Sequence, residues 1–385
     1  MSAPLTVCAI SGGRADYGLL VEPLRAIRAG PALRLALVLT GQHLDRIFGD
    51  TAARVRADGF DIAAEVDMNI DGDDAVAVTR AAARALDGMA GVLSMLAPDL
   101  VLLLGDRYEI LCCAIAATIA RLPIAHIAGG DLTEGAFDNA FRHAITKMAH
   151  LHFATSEAAA RRIRQMGEAA ERIHVVGNPG LDLVRKTAVP ARDPFFSAIA
   201  LAPRAVNLLV TFHPVTLAAD SVDQIDEMLA ALETIEKAAI LFTGSNADPE
   251  GRRLEARVRN FVASHPAARL VPSLGAECYF AALTHMDAVV GNSSSGLYEA
   301  PSFGIPTVNI GDRQKGRERA ASVFDCAPRR DAIRAAIDRA LARGRQPTVN
   351  PYGDGHTSER IVSVLRSLDD PKALLAKSFV DIAAA

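Results

Sequence analysis

Short, uninterrupted apolar runs alternate along this chain with longer stretches of mixed polarity. LTVCAIS, residues 5–11, is the first such run. A strand in a parallel sheet is buried on both faces, so it shows continuous apolar character rather than alternation. The run stops at SGGRADYG, and a helix is expected from about Leu19 to Arg28. LRLALVLTG, DLVLLLGDR, LPIAHIAGG, HLHFAT and RIHVVG repeat the signal, with ILCCAIAATIAR as a helix between the third and fourth strands. This rhythm of strand, loop and helix predicts a doubly wound α/β sheet.

The pattern then breaks and restarts. Val189 to Ala205 contains Pro190, Pro194 and Pro203 and reads as a linker. NLLVTFHP, AAILFTGSN, ARLVP, DAVVGNSSSG and PTVNIGDR follow as strands of a second sheet. The expected fold class is α/β, with two Rossmann-like doubly wound domains facing a cleft. The first spans residues 1–188, with 370–385 expected to form a helix that packs back on it; the second spans 189–369. Open parallel sheets bind ligands beyond the carboxyl ends of their strands. SGGR, TGQH, GDR, GGD, FHP, GSN, GNSSSG and a second GDR all fall at such ends, so the expected active site is the cleft.

Composition narrows the function. With 385 residues, 50% of them hydrophobic, the chain can bury two sizeable cores. A formal net charge of −4 argues against a nucleic-acid partner. No run reaches the ~18 apolar residues of a membrane span, and the N-terminal residues read as a strand, not a signal peptide. Cys8, Cys112, Cys113, Cys278 and Cys326 form no CxxC pair and no Cys/His ligand spacing, which points to a reduced, cytoplasmic protein. There is no HExxH, and no metal is expected.

The strand ends carry candidate chemistry. Gly12-Gly13-Arg14 lies between a strand and a helix, where free N–H groups and a guanidinium suit phosphate. Asn292-Ser293-Ser294-Ser295-Gly296 offers more hydroxyls than one helix cap needs, which suits a diphosphate. Glu299 lies one turn further and is a candidate for ribose hydroxyls, while Arg313 and Arg317 add positive charge. Acids gather in the first half: Asp106 and Glu109 around Arg107, then Asp131, Glu134 and Asp138. Arg142 follows Asp138 by four residues and is expected to pair with it on one helix face. Carboxylates crowded together raise one another's pKa, which supplies a general acid and a general base near neutral pH. His213 ends the first strand of the second half, placed to contact phosphate or give a proton to a leaving group. His126 reads as a core residue, and His143, His150 and His152 share no ligand face.

Taken together, GGRADYGLL, LTGQHL, LLGDRYE, HIAGGDLTEGAFDNAFRHAITKMAHLHF, VGNPGLD, FHPVT and GNSSSGLYEAPSFGIPTVNIGDRQKGRE resemble the hydrolysing UDP-N-acetylglucosamine 2-epimerases. These have a glycosyltransferase-B-like fold, and the nearest branch is that of sialic and legionaminic acid synthesis. The resemblance implies elimination of UDP to a glycal, hydration at C1 and return of a proton to C2 from the other face. It also implies a UDP-sugar substrate, no cofactor and a homo-oligomer, dimer or tetramer. It assigns catalysis to Asp106, Asp138 and His213, with Arg142 beside them, and nucleotide binding to Arg14, Ser293, Ser294, Glu299 and Arg313. Arg107 and Glu109 join the substrate-binding set. Many relatives have HIEGGE where this chain has HIAGGD, so the family glutamate is replaced by Ala128, and Asp131 or Glu134 is expected to take its role. Tyr298 stands where some relatives have arginine. Both changes fit a UDP-2,4-diacetamido-2,4,6-trideoxy sugar. A non-hydrolysing epimerase and an acceptor-dependent glycosyltransferase remain open alternatives.

Overall fold

The computed structural model describes residues 3–45, 51–72, 74–132, 137–214, 221–244 and 251–381. Two compact units divide the chain: Met1–Leu183 with Tyr352–Ala385, and Val184–Pro351.

The first unit runs β1 (Leu5–Ser11), α1 (Arg14–Ala29), β2 (Leu33–Thr40), α2 (Thr51–Ala57), β3 (Ile62–Val66), α3 (Ala75–Leu96) and β4 (Leu100–Leu104). It continues with α4 (Tyr108–Ile119), β5 (Ile124–Ile127), α5 (Asp138–Met148), β6 (Leu151–Ala154), α6 (Glu157–Gln165) and β7 (Ile173–Val175). The helix α7 (Gly180–Lys186) leads out of it. All neighbouring strands are parallel, in the order β3-β2-β1-β4-β5-β6-β7. Both faces are covered. Val7 and Ala9 of β1 pack with Leu20, Leu24 and Ile27 of α1, whereas Cys8 and Ile10 pack with Met89 and Leu93 of α3 and Ile110 of α4. That double burial is why the middle of β1, Val7–Ile10, is apolar without interruption.

The second unit contains α8 (Arg192–Ala198), β8 (Val206–Thr211), α9 (Ser221–Glu233), β9 (Ala238–Thr243), α10 (Gly251–Ser264), β10 (Ala268–Val271) and α11 (Gly275–His285). Then come β11 (Ala288–Gly291), α12 (Ser295–Tyr298), β12 (Thr307–Ile310), β13 (Val323–Cys326) and α13 (Arg330–Arg343). Its sheet is again parallel, in the order β10-β9-β8-β11-β12-β13.

Several boundaries differ from the sequence reading. α1 starts at Arg14, directly after Gly13, and carries Pro23 within it. The chain returns to the first unit at Tyr352 rather than near Asp370. Helix α14 (Thr357–Arg366) packs Ile361 and Leu365 into the same core as α1. The Asp182 carboxylate accepts from the N–H groups of Thr357 and Ser358 at 2.8 and 2.7 Å, capping α14 from a distant part of the chain. Residues 371–381 pack back without forming an α-helix. They make one short 3-10 turn, Pro371–Leu375, and are tied down by Arg172, which donates to the carbonyls of Leu374 and Ala376.

Candidate active site

In each sheet the strand order reverses once: between β1 and β4, and between β8 and β11. Such switch points open a crevice at the carboxyl edge of the sheet. Most of the expected residues sit at these two places.

At the first, β1 gives way to Gly12, Gly13 and the exposed Arg14, the first residue of α1. β4 gives way to Asp106, Arg107 and, in the first turn of α4, Glu109. Arg142, from α5, pairs with Asp106 at the end of β4. The reason is direction: α5 begins at Asp138, and the long Arg142 side chain reaches back to the end of β4. Asp138 remains close enough for its charge to act on Asp106. Burial pushes the Asp106 carboxyl above its usual range, opposed by Arg142, reinforced by Asp138 and opposed again by Arg107.

Arg107 donates from Nε to Oε1 of Glu109 at 2.5 Å. Glu109 is fully buried, so it lies beneath the surface of the crevice. A Cβ on Gly12 would stand 2.7 Å from its Oε1 and 2.8 Å from its Cγ, so this glycine is required by the close approach of the acid. His126 is buried in β5 and bonds the Gly105 carbonyl at 2.8 Å, immediately before Asp106. Burial lowers its pKa to about 3, so it is neutral and holds the turn that presents Asp106. Asp131, beyond the end of β5, accepts from the Thr155 hydroxyl at 2.6 Å. Glu134 lies outside the described residues.

At the second switch point, Asn292 organises the loop ends. Its Oδ1 accepts from the His213 N–H at 2.7 Å, and its Nδ2 donates to the His213 carbonyl at 2.8 Å. Its own carbonyl accepts from Arg313 at 3.2 Å and Gln314 at 2.8 Å. Three strand ends therefore meet on one buried residue, through its side-chain amide and its backbone carbonyl. The preceding Gly291 has φ +138°, and a Cβ there would lie 1.9 Å from the Thr211 carbonyl oxygen, so only glycine permits this contact of β8 with β11.

Burial, and then the charge of Arg313, lower the His213 pKa to about 4. The free protein therefore holds it neutral at physiological pH. Ser295 is occupied internally: it accepts from Tyr279 at 2.7 Å and supports Glu299, whose carboxyl is raised by burial. Ser293 and Ser294 are left half-exposed before the short α12. Arg317 is drawn aside to Gln314 and stacks 5.3 Å from the Tyr298 ring.

Sequence reasoning missed Asn292 and His126 as residues that shape these strand ends. Asn292 carried a visible signal, since it opens the serine run, but hydroxyls drew attention away from it.

Fold and site together define an α/β protein with Asn292, the serine run, His213 and Arg313 gathered at the sheet reversal of one unit and a cationic–acidic cluster at that of the other. The family model described as UDP-N-acetylglucosamine 2-epimerase matches residues 25–366, and the chain belongs to that family. The chain is 35% identical to the UDP-N,N'-diacetylbacillosamine 2-epimerase (hydrolyzing) of Legionella pneumophila, over 96% of this chain and 97% of that protein. It is 34% identical to the polysialic acid biosynthesis protein P7 of Escherichia coli, over 97% and 96%. The crystal structure of UDP-GlcNAc 2-epimerase from Neisseria meningitidis bound to UDP-GlcNAc shares the fold, with TM-score 0.72 at 17% identity, covering 94% of this chain and 99% of that one. No helix among the described residues is long and apolar enough to cross a membrane.

Proposed function

We propose that this protein is a hydrolysing 2-epimerase that converts a UDP-activated 2-acetamido sugar to UDP and the free 2-epimer. The observation that carries the reading is the Asp106–Arg142–Asp138 cluster at the first switch point. Elimination needs a base to take the C2 proton while the C1–O bonding pair leaves with UDP. Hydration of the resulting glycal then needs a proton for C2 and a water for C1. Two neighbouring carboxyls, one raised by burial and held beside a guanidinium, suit that exchange. Asp106 and Asp138 form the acid–base pair, with Arg142 fixing Asp106; Arg107 and Glu109 support the same turn. Asp131 and Glu134 are the further acids to test. Arg14, His213, Ser293, Ser294, Glu299 and Arg313 hold the nucleotide. The steps move protons and a leaving group but no electrons, so they call for no redox cofactor.

The name of the Legionella relative supports UDP-N,N'-diacetylbacillosamine as substrate. The polysialic acid protein favours UDP-N-acetylglucosamine as a second reading, with N-acetylmannosamine as product. In the same proposal the enzyme is cytoplasmic, in keeping with free cysteines at all five positions, and works as a dimer or tetramer. The test supplies each UDP-sugar in D2O without acceptor and follows products by mass spectrometry. UDP with a C2-deuterated free sugar is expected. Recovery of the intact UDP-linked 2-epimer would assign the non-hydrolysing reaction, and turnover only with an acceptor would assign a transferase.

A further inference from the structure

Asp106 and Glu109, two of the carboxylates at the β1–β4 switch point, each have a cationic partner. Asp16 does not share this arrangement. It lies in the first turn of α1, is 9% exposed, and its Oδ2 is buried with no hydrogen-bond partner among the described residues. The Gly12 backbone supports the carboxyl by one hydrogen bond. A buried carboxylate oxygen without a partner is unfavourable, so a purely structural role would be better filled by an amide or an apolar side chain. The position is also the strand-order reversal of this sheet, where ligands enter.

We propose that Asp16 is a further acid–base residue of the epimerisation, the group that hands a proton to C2 of the glycal as water adds at C1. This rests on the hydrolysing reading above. In the step, the Asp16 O–H bond breaks and its electron pair stays on the carboxylate. The C1=C2 π pair forms the new C2–H bond. The cation left at C1 is captured by a water oxygen, and the proton that this water sheds goes to bulk solvent, from which Asp16 is reloaded.

The electrostatics agree with this role. Burial, chiefly, raises the Asp16 carboxyl to about 7; Arg107 opposes this, while Glu109 and Asp106 add to it. A group with that value is loaded and unloaded readily near neutral pH. Arg14 is the other charged residue of this helix turn. From the end of β2, His43 is neutral, lowered to about 4 by burial, and bonded to Ser11 and Thr51. Asp106 is also raised by burial, but its Arg142 ion pair pulls back toward the carboxylate. Of the two acids, Asp16 is therefore the one suited to arrive protonated.

The experiment compares the wild type with Asp16→Asn and Asp16→Glu, following UDP, glycal and free sugar separately in D2O. Absence of UDP release by the wild type would remove the hydrolysing reading itself. With that reading intact, Asp16→Asn should still release UDP but accumulate glycal, with free sugar reduced roughly 100-fold or more. Asp16→Glu should restore part of the free-sugar rate. Formation of C2-deuterated free sugar by Asp16→Asn at near wild-type rate would overturn the proposal, as would equal loss of UDP release and sugar formation. If Asp16→Asn does not fold, the wild type decides: hydration of supplied glycal in the presence of UDP should slow as pH rises through about 7. A flat profile across that range overturns it.

Discussion

Glu168 offers a quantitative test of what fastens the tail of the chain. Its buried carboxylate accepts from His152 at 3.0 Å, Lys147 at 2.6 Å and Lys377 at 2.8 Å. Lys147 stands on α5, the helix that also carries Asp138 and Arg142. Against the desolvation of burial, the His152, Lys147 and Lys377 hydrogen bonds bring Glu168 from 4.5 to about 2. That depression corresponds to about 3 kcal/mol of folding free energy at neutral pH. Part of it is returned, because burial lowers the pKa of Lys377 despite the pairing. Glu168→Gln should therefore destabilise the protein by about 2–3 kcal/mol, or lower Tm by roughly 4–12 °C for a unit of this size. Calorimetry at pH 7 measures the shift. A carboxyl depressed by folding contributes fully above its unfolded value and loses that contribution as pH falls through the folded one. The gap between wild type and variant should thus shrink below about pH 4.5 and close near 2. An unchanged Tm at pH 7, or a gap that widens on acidification, would refute the reasoning.

Asn292→Ala should weaken UDP binding by about 10-fold or more in titration calorimetry, since it removes both side-chain bonds to the His213 backbone. Gly291→Ala should cost more than about 3 kcal/mol, seen as a lost or strongly lowered unfolding transition, because its Cβ would meet a carbonyl at 1.9 Å. With a free-state pKa of about 4, His213 should take up a proton when a diphosphate binds beside it. UDP affinity should rise as pH falls from neutrality, with proton uptake measured in buffers of different ionisation enthalpy; pH-independent binding would contradict this.

The central strands were legible because burial on two faces leaves their middles apolar: Val7–Ile10 in β1, Leu35–Leu39 in β2 and all of β4. β3 and β13 were not, because they lie at the sheet edges and are partly exposed, which breaks the run into IAAEV and VFDC. The early start of α1 was hidden by Gly18 and Pro23, both unfavourable within helices. Strand-end chemistry was legible in kind: Asp106, Arg142, His213 and Ser293 all fall at the two reversals. Their partners were not. Which cation meets Asp106 depends on the approach of α5, and the importance of Asn292 depends on three loops converging, neither of which is encoded in local spacing. Asp16 was passed over because an acid in a first helical turn normally serves the helix dipole; only its depth distinguishes it.

The return of the chain at Tyr352 makes the second unit an insertion within the first. The Asp182 cap on Thr357 and Ser358, and the hold of Glu168 on Lys377, join segments made early to segments made last. During synthesis the ribosome therefore releases all of the inserted unit before the first can close. The inserted unit can complete its sheet while the first still waits with the crown of α1 uncovered, the apolar surface that Ile361 and Leu365 later fill. Premature stops shortly before Tyr352 would thus leave one unit folded and expose the other to aggregation and proteolysis.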